Sequence, residues 1–411
     1  MPEFFEVKPP NGAWTYWWEY VTHRTESERV DVYNALGRIT AEAVHSPEAL
    51  PAFRRAAVDG YAVRAPDTFG ASDALPAYLE VVGEVPMGQE TQQTLAPGQA
   101  LLIHTGGMVP ADADAVVMVE YTQRFDERTI EVLRPVAPGE NVIQVGEDVQ
   151  LGAVVLPAGH VIRPQDIGAL LALGFVCDLP VRRRPLVNIF STGDEVVPAD
   201  TAPLRPGQIR DINGGTIQAL CRKAGAQTRL NAIIPDKADA LYEALAAALP
   251  VSDMLVVTAG SSVSTRDMTA ATFNRLGSPG VLVHGVAARP GKPTILAAVE
   301  GKPVIGLPGN PVSAMVMFML FGVPAIAGLM GATAPQAPRI PVRVTANVPS
   351  AAGREDYVPV RLVERSGEVW AEPIFGKSNL IFTLVEAGGL LRVPMNATGL
   401  REGTWAEVLL F

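Results

Sequence analysis

A regular alternation of strand and helix from Pro185 onward predicts a central α/β domain. Short apolar runs broken by prolines and glycines, before and after it, predict β-rich parts on both sides. The α/β series runs in order. Residues 186–190 read as a buried strand, 216–224 as a helix closed by Gly225, and 228–234 as a strand. Residues 238–249 read as a helix, 253–258 as a strand, 269–276 as a helix, and 280–283 and 293–298 as extended. Strands alternating with helices of this length imply a parallel sheet with helices on both faces. Ligands of such sheets bind at the C-terminal strand ends.

The flanks read differently. Residues 28–44 place Val32, Leu36, Ile39 and Ala43 at helical spacing and predict an amphipathic helix. Residues 51–149 carry apolar runs at 78–82, 100–103, 115–119 and 129–133, which predict a β-rich lobe. Residues 166–175 read as a short helix ending at a glycine. Residues 339–411 return to short alternating strands with glycine turns, as in a small β-barrel or sandwich. The aromatics Trp14, Tyr16, Trp17, Trp18 and Tyr20 read as a packing cluster.

Composition narrows the function. The 411 residues are 48% hydrophobic and 18% charged, enough for several cores. The net charge of −10 offers no basic face for nucleic acid. Cys177 and Cys221 are the only cysteines and show no metal spacing, which suits a reducing, cytoplasmic setting. The N-terminus lacks the basic and apolar regions of a signal peptide. Residues 312–330 are uncharged and approach membrane-spanning length. Pro324 interrupts them and a capped loop leads into them, so a buried helix broken near Pro324 is expected rather than a membrane segment.

The most informative stretch is Gly306-Leu307-Pro308-Gly309-Asn310-Pro311. It reads as strand, tight loop and helix start. Asn310 suits an N-cap, and Pro311 suits the first helical position, where a missing N–H costs nothing. Such an end presents N–H groups and a positive dipole to an anion. An ordinary strand-to-helix turn uses the same residues. Two more loops fall at the same sheet edge. The 191–195 loop offers Thr192, Gly193, Asp194 and Glu195. The 258–267 loop offers Gly260, Ser261, Ser262, Ser264 and Asp267, and Arg289 and Lys292 add two cations. Hydroxyls, amides and cations recognise phosphate, and they are expected to converge on one polyanion-sized pocket. Carboxylates beside a phosphate call for a divalent cation, and hard oxygen ligands favour Mg²⁺. Solvated turns and helix caps account for any one of these residues equally well. The β-rich lobe adds Asp59 beside Gly60 and Glu147-Asp148 beside Gly146, and His104 reads as structural.

In this order the motifs resemble the molybdopterin molybdenumtransferase family (MoeA-type), which includes the E domain of gephyrin. They are ALGRITAEAV (35–44), VDGYAV (58–63), HTGGMVPADADAVVMVE (104–120), GENVIQVGEDV (139–149), FSTGDEV (190–196), Asp211-Ile212-Asn213, RPGKPTILA (289–297), GLPGNPVSA (306–314), Gly353-Arg354 and LVEAGGLLRVP (384–394). The resemblance implies a multidomain α/β chain. Residues 1–50 with 150–183 would form a helical and extended domain, and 51–149 an inserted β-rich lobe. Residues 184–334 would form a central three-layer α/β molybdopterin-binding domain, and 335–411 a C-terminal β-barrel domain.

It implies a cytoplasmic, Mg²⁺-dependent homodimer that inserts molybdate into adenylylated molybdopterin and releases AMP. The cleft would lie between the α/β domain of one subunit and the β-rich lobe of the other. Asp59, Thr105, Asp148, Glu195 and Asp236 match family positions tied to that cleft. Asp59, Asp148 and Glu195 would serve the metal, and these three with Asp236 the catalysis. Thr105, Thr192, Gly193, Asp194, Gly260, Ser261, Ser262, Asp267, Arg289, Lys292, Pro308, Gly309, Asn310 and Arg354 would contact substrate. Partners would include a molybdopterin adenylyltransferase and molybdoenzyme chaperones, with no nucleic acid and no membrane. Two departures stand out. Ala259 and Ser264 occupy positions where the family carries glycine, and Arg289 stands where lysine is common. They leave open a molybdopterin carrier or a tungstate-preferring paralogue. The single-domain adenylyltransferase reading is disfavoured by the lobe and the barrel.

Overall fold

The computed structural model describes residues 7–259, 263–332, 338–365 and 367–411, with the side chains of 263–266 outside that description. By its contacts the chain forms two compact units. One comprises residues 43–157 and 165–176, and the other holds the remainder, including the C-terminal part.

The larger unit begins with helix α1 (Pro10–Trp18), which opens on a proline at its first turn. Trp17 is fully buried and donates from its indole Nε1 to the Ala297 carbonyl at 2.7 Å. Trp14 and Trp18 stack at 4.8 Å and line a cavity of about 440 Å³. The cluster therefore both packs and leaves a concave surface.

The expected helix over 28–44 does not form. Ser27–Val30 is a strand paired antiparallel with Leu179–Arg182, and Ile39 and Thr40 bridge Val161 and Val181. Val32 and Ile39 are buried by this pairing while Leu36 is 55% exposed, so the helical spacing was coincidental. Helix α2 (Pro164–Ala172) ends as expected, with Gly174 at φ +78.

The smaller unit holds a six-stranded sheet. Its strands are Gly60–Val63 (β1), Ala77–Glu84 (β2), Gln99–Ile103 (β3), Ala115–Met118 (β4), Thr122–Arg124 (β5) and Thr129–Val132 (β6), in the order β4-β1-β3-β2-β6-β5. Two apolar clusters cover its faces, Ala62, Leu101, Ile103 and Val116 on one, Val63, Ala100, Ala115 and Val117 on the other.

The α/β part of the larger unit has strands Leu186–Ser191 (β7), Gln227–Leu230 (β8), Met254–Ala259 (β9), Pro279–His284 (β10), Ile295–Val299 (β11) and Lys302–Pro308 (β12). Their order is β8-β7-β9-β12-β11-β10. The first four are parallel; β11 alone runs the opposite way, antiparallel to β12 through a hairpin and antiparallel to β10, which returns to the common direction. The strictly parallel sheet expected from the alternation is thus corrected at one edge. Strand residues alternate between two cores. Met254 and Val256 pack with α1, helix α3 (Asn213–Lys223) and the 311–329 helix. Leu255 and Val257 pack with helices α4 (Ala238–Ala248) and α5 (Val263–Leu276). Both faces are covered, which is why every residue of β9 is buried.

The run Pro311–Leu329 is the one helix among the described residues long and apolar enough to cross a membrane, and 67% of its apolar window is buried in the protein. It does not break at Pro324. Helix α6 (Pro311–Met317) passes through a π-turn, Phe318–Gly322, into α7 (Val323–Leu329). The wider turn re-registers the backbone bonds, so the proline falls at the second position of the new helix, where its missing N–H is tolerated.

The C-terminal strands are Arg339–Val344 (β13), Glu355–Arg365 (β14), Glu368–Pro373 (β15), Gly389–Val393 (β16) and Trp405–Leu410 (β17). They close into a five-stranded barrel, β14-β15-β13-β17-β16 and back to β14, with one parallel pair, β13 and β15. The fold is a multidomain α/β chain with a three-layer domain and a closed C-terminal barrel.

Candidate functional site

The C-terminal ends of β7, β9 and β12 bring several predicted residues together. Thr192 N–H donates to the Thr258 carbonyl at 2.9 Å, and Gly193 N–H to the Ile234 carbonyl at 3.2 Å. Gly193 sits at φ +144, where an added Cβ would press on Val196 and the Glu195 carboxyl. Asp236 N–H donates to Asp194 Oδ1 at 3.2 Å. Ala259 lies beside Pro308 in register, and Asn213 Nδ2 reaches across to the Gly309 carbonyl at 2.8 Å. The start of α3 is tied by Gly214 N–H to Asp211 Oδ1 at 3.0 Å.

Polar oxygens here are poorly partnered. Thr192 is 3% exposed; its hydroxyl oxygen, Asp236 Oδ1 and Asn213 Oδ1 are buried without a well-formed hydrogen bond, the Thr192 hydroxyl giving the Asp236 carboxyl only weak support. Such atoms are costly unless a ligand completes them. Burial pushes the Asp236 carboxyl up from its ordinary value, and the charges of Asp194 and Glu195 push it further. Gly260, Ser261 and Ser262 lie outside the described residues; Asp267 is exposed on α5.

A second set of predicted residues lines a cavity of about 650 Å³ between the α/β layer and the barrel of the same unit. Arg289, Lys292, Pro308, Asn310 and Arg354 line it, joined by Lys377 and Ser378. Thr192, Asp194 and Glu195 do not. Acids and cations separate around the 308–310 loop, the carboxylates of 194–195 and 236 on the 191–195 side and the cations on the barrel side. The barrel-side cavity is net basic, with four cations and the single buried carboxylate of Asp356, and suits an oxyanion, whereas the carboxylates on the other side call for a cation.

The expected N-cap also differs. Asn310 precedes α6 but makes no side-chain cap bond. Its Nδ2 donates to Ser378 Oγ at 3.1 Å, and Val312 N–H donates to the Ser378 carbonyl at 3.1 Å. The barrel segment satisfies the helix start in the asparagine's place, and so fixes Lys377 beside the pocket. Sequence reasoning missed Lys377, Ser378 and Asp356; the Gly376-Lys377-Ser378 turn and the acids following Arg354 were the available signals.

The smaller unit carries its own carboxylate. Thr105 donates to Asp59 Oδ1 twice, from N–H at 2.7 Å and from Oγ1 at 2.9 Å. These donors hold the exposed Asp59 carboxyl below its usual range. Gly60 has no room for a side chain, since a Cβ would overlap the Val117 carbonyl, and this close strand contact fixes where Asp59 leaves the sheet. His104 Nε2 donates to Glu84 Oε1 at 3.0 Å, and its Nδ1 stands 3.9 Å from Asp59 Oδ1. Asp148 is exposed after the Gly146 turn, with its N–H on the Leu50 carbonyl at 3.0 Å.

Comparison with known proteins gives consistent matches. The family model described as MoeA N-terminal region (domain I and II) covers residues 11–174, that described as probable molybdopterin binding domain 188–328, and that described as MoeA C-terminal region (domain IV) 341–411. The molybdopterin molybdenumtransferase of Bacillus subtilis is 34% identical over 389 residues, 94% of this chain and 90% of that protein. The enzyme of the same name from Nostoc is 35% identical over 390 residues, 93% and 88% of the two chains. A crystal structure of a molybdopterin biosynthesis MoeA protein from Pyrococcus horikoshii superposes with a TM-score of 0.84 at 31% identity, covering 99% of this chain and 100% of that one.

Proposed function

The chain belongs to the MoeA-type molybdopterin molybdenumtransferase family, whose place is molybdenum cofactor biosynthesis, and on that premise we propose that it inserts molybdate into adenylylated molybdopterin with release of AMP. The observation that carries this reading is the basic pocket. A dianion such as molybdate requires converging cations and donors, and Arg289, Lys292, Arg354 and Lys377 supply them beside the Ser378 turn. Molybdate is substrate here. On the acid-lined side of the 308–310 loop, Glu195 and the neighbouring loop amides orient the pterin phosphate end, the buried Thr192 hydroxyl donates to a phosphate oxygen, and the buried Asn213 Oδ1 accepts from a pterin N–H.

Carboxylates beside a pyrophosphate need a counter-charge. Among the described residues no three Asp, Glu, His or Cys groups gather round one metal-sized point. The hard-oxygen donor set nevertheless fits Mg²⁺: Asp59 is kept ionised by Thr105, and Asp236 Oδ1 is without a well-formed hydrogen bond. Asp59, Asp148 and Glu195 would hold the ion, and it would neutralise charge on the phosphoryl oxygens. In this reading the working form is a cytoplasmic homodimer, with the β-rich lobe of one protomer serving the α/β domain of its partner. Residues 1–50 with 150–183, 51–149, 184–334 and 335–411 act as the four domains.

The test is reconstitution of purified protein with adenylylated molybdopterin, Mg²⁺, and molybdate or tungstate in parallel. AMP release together with metal-loaded cofactor supports the proposal and gives the oxyanion preference. Tight pterin binding without either product would make the chain a carrier instead.

A further inference from the structure

We propose that Asp356 is a positioning residue for oxyanion capture, holding the guanidiniums of Arg354 and Arg289 on one wall of the basic pocket. The inference rests on the reading of that pocket as the molybdate site.

Asp356 is the second residue of β14 and is only 2% exposed. Arg354 Nε donates to its Oδ1 at 2.8 Å, and Arg289 Nη1 stands 3.6 Å from its Oδ2. The backbone brings the three together. Ala288–Arg289 runs as a short strand parallel to β14 with Arg289 opposite Asp356, and Glu355 N–H donates to the Ala287 carbonyl at 2.9 Å. One arginine thus comes from the α/β part and the other from the barrel, and a single buried carboxylate receives both. All three residues line the cavity.

The physical need is clear. Two guanidiniums side by side repel each other, and each is a long side chain with several free torsions. A guanidinium recognises an oxyanion through a planar fork, so its orientation matters as much as its charge. Asp356 offsets the repulsion and engages Arg354 through Nε, which leaves the terminal nitrogens of that fork free for the pocket. Its own charge opposes an incoming dianion. Positioning and simple charge therefore predict opposite signs when the carboxylate is removed.

The experiment is calorimetric titration of the full-length protein with sodium molybdate, well below the melting temperature. Asp356→Asn gains one unit of net positive charge, yet under the proposal it binds molybdate about tenfold more weakly, the scale seen when a partner that orients a ligating group is lost. Asp356→Glu recovers part of that loss. Arg354→Lys keeps the charge but not the fork, and is expected to lose nearly as much as Arg354→Ala. Arg354 is at the surface of the pocket, so this pair tests the inference even where Asp356→Asn does not fold. Equal or tighter binding by Asp356→Asn, or wild-type affinity in Arg354→Lys, overturns the inference alone. A wild-type protein that binds no molybdate overturns the pocket reading and the inference with it.

Discussion

Asp59 in the β-rich unit and Asp236 in the α/β unit are both carboxylates at strand-end loops, and their surroundings push them in opposite directions. Asp59 takes two hydrogen bonds from Thr105 and is held ionised. At Asp236, burial and two acidic neighbours outweigh the help of the Asp194 backbone and the Thr192 hydroxyl, and its charged form is disfavoured. The first is an anion prepared in advance; the second becomes a comfortable anion only when something positive arrives. A site that must bind and release a charged ligand can use both kinds. The prepared carboxylate contributes affinity at little reorganisation cost, and the frustrated one makes the protein respond to occupancy.

The strongest way to break this comparison is to remove the prepared anion. Asp59→Ala is expected to lower AMP release by about 100-fold or more, the scale of losing a preorganised electrostatic partner. Its side chain is 62% exposed, so the melting temperature should scarcely move. Turnover within a few-fold of wild type in the reconstitution assay would remove Asp59 from the site. Stripping divalent cations with EDTA should stop turnover just as fully without unfolding the protein, and Mg²⁺ should restore it. Full turnover in EDTA would mean that neither carboxylate serves a cation.

Asp253 sharpens the contrast as a buried carboxylate that is fully satisfied. Its side chain is 7% exposed and accepts from both Arg183 nitrogens at 2.9 Å, from Leu186 N–H at 2.6 Å and from His23 at 2.7 Å. Burial pushes it up, and these donors outweigh burial to hold it below its usual range. Asp253→Ala should cost about 2–3 kcal/mol in denaturant unfolding, below the full value for a broken buried pair because Arg183 is partly in water. The sign with pH follows. Its folded value lies below the unfolded one, so its contribution is complete above about pH 4 and is lost as pH falls through the lowered value. A variant whose stability matches wild type at pH 7 would show that the network is ornamental.

These differences were unevenly legible in the sequence. The apolar run at 253–258 and the loops at 191–195 and 306–311 announced the sheet and its ligand edge, because each signal is local. Residues 28–44 misled because Val32, Ile39 and Ala43 fit a helical period, while the pairing of Ser27–Val30 with Leu179–Arg182 is a long-range event that no local period records. The aromatics at 14–20 read as a packing cluster without revealing helix α1, whose proline at the first turn is well tolerated. The division of acids from cations depends on how the barrel docks on the α/β layer. Arg289 and Asp356 are brought together by strand pairing across two domains, so neither residue's neighbours in sequence could reveal the other.

The smallest effect is the most direct probe of frustration at Asp236. Its folded value lies above the unfolded one, so the folded state takes up a proton that the unfolded chain would release. Stability should therefore decline as pH rises from about 4 through the raised value. Asp236→Asn removes that decline, since an amide has no proton to lose and no charge to set against Asp194 and Glu195. The variant should melt slightly above wild type at pH 8 and nearly with it at pH 4, while its turnover falls. Parallel melting curves across this range would mean that Asp236 is already relaxed by solvent. The two carboxylates would then differ only in their hydrogen bonds, not in their readiness to carry charge.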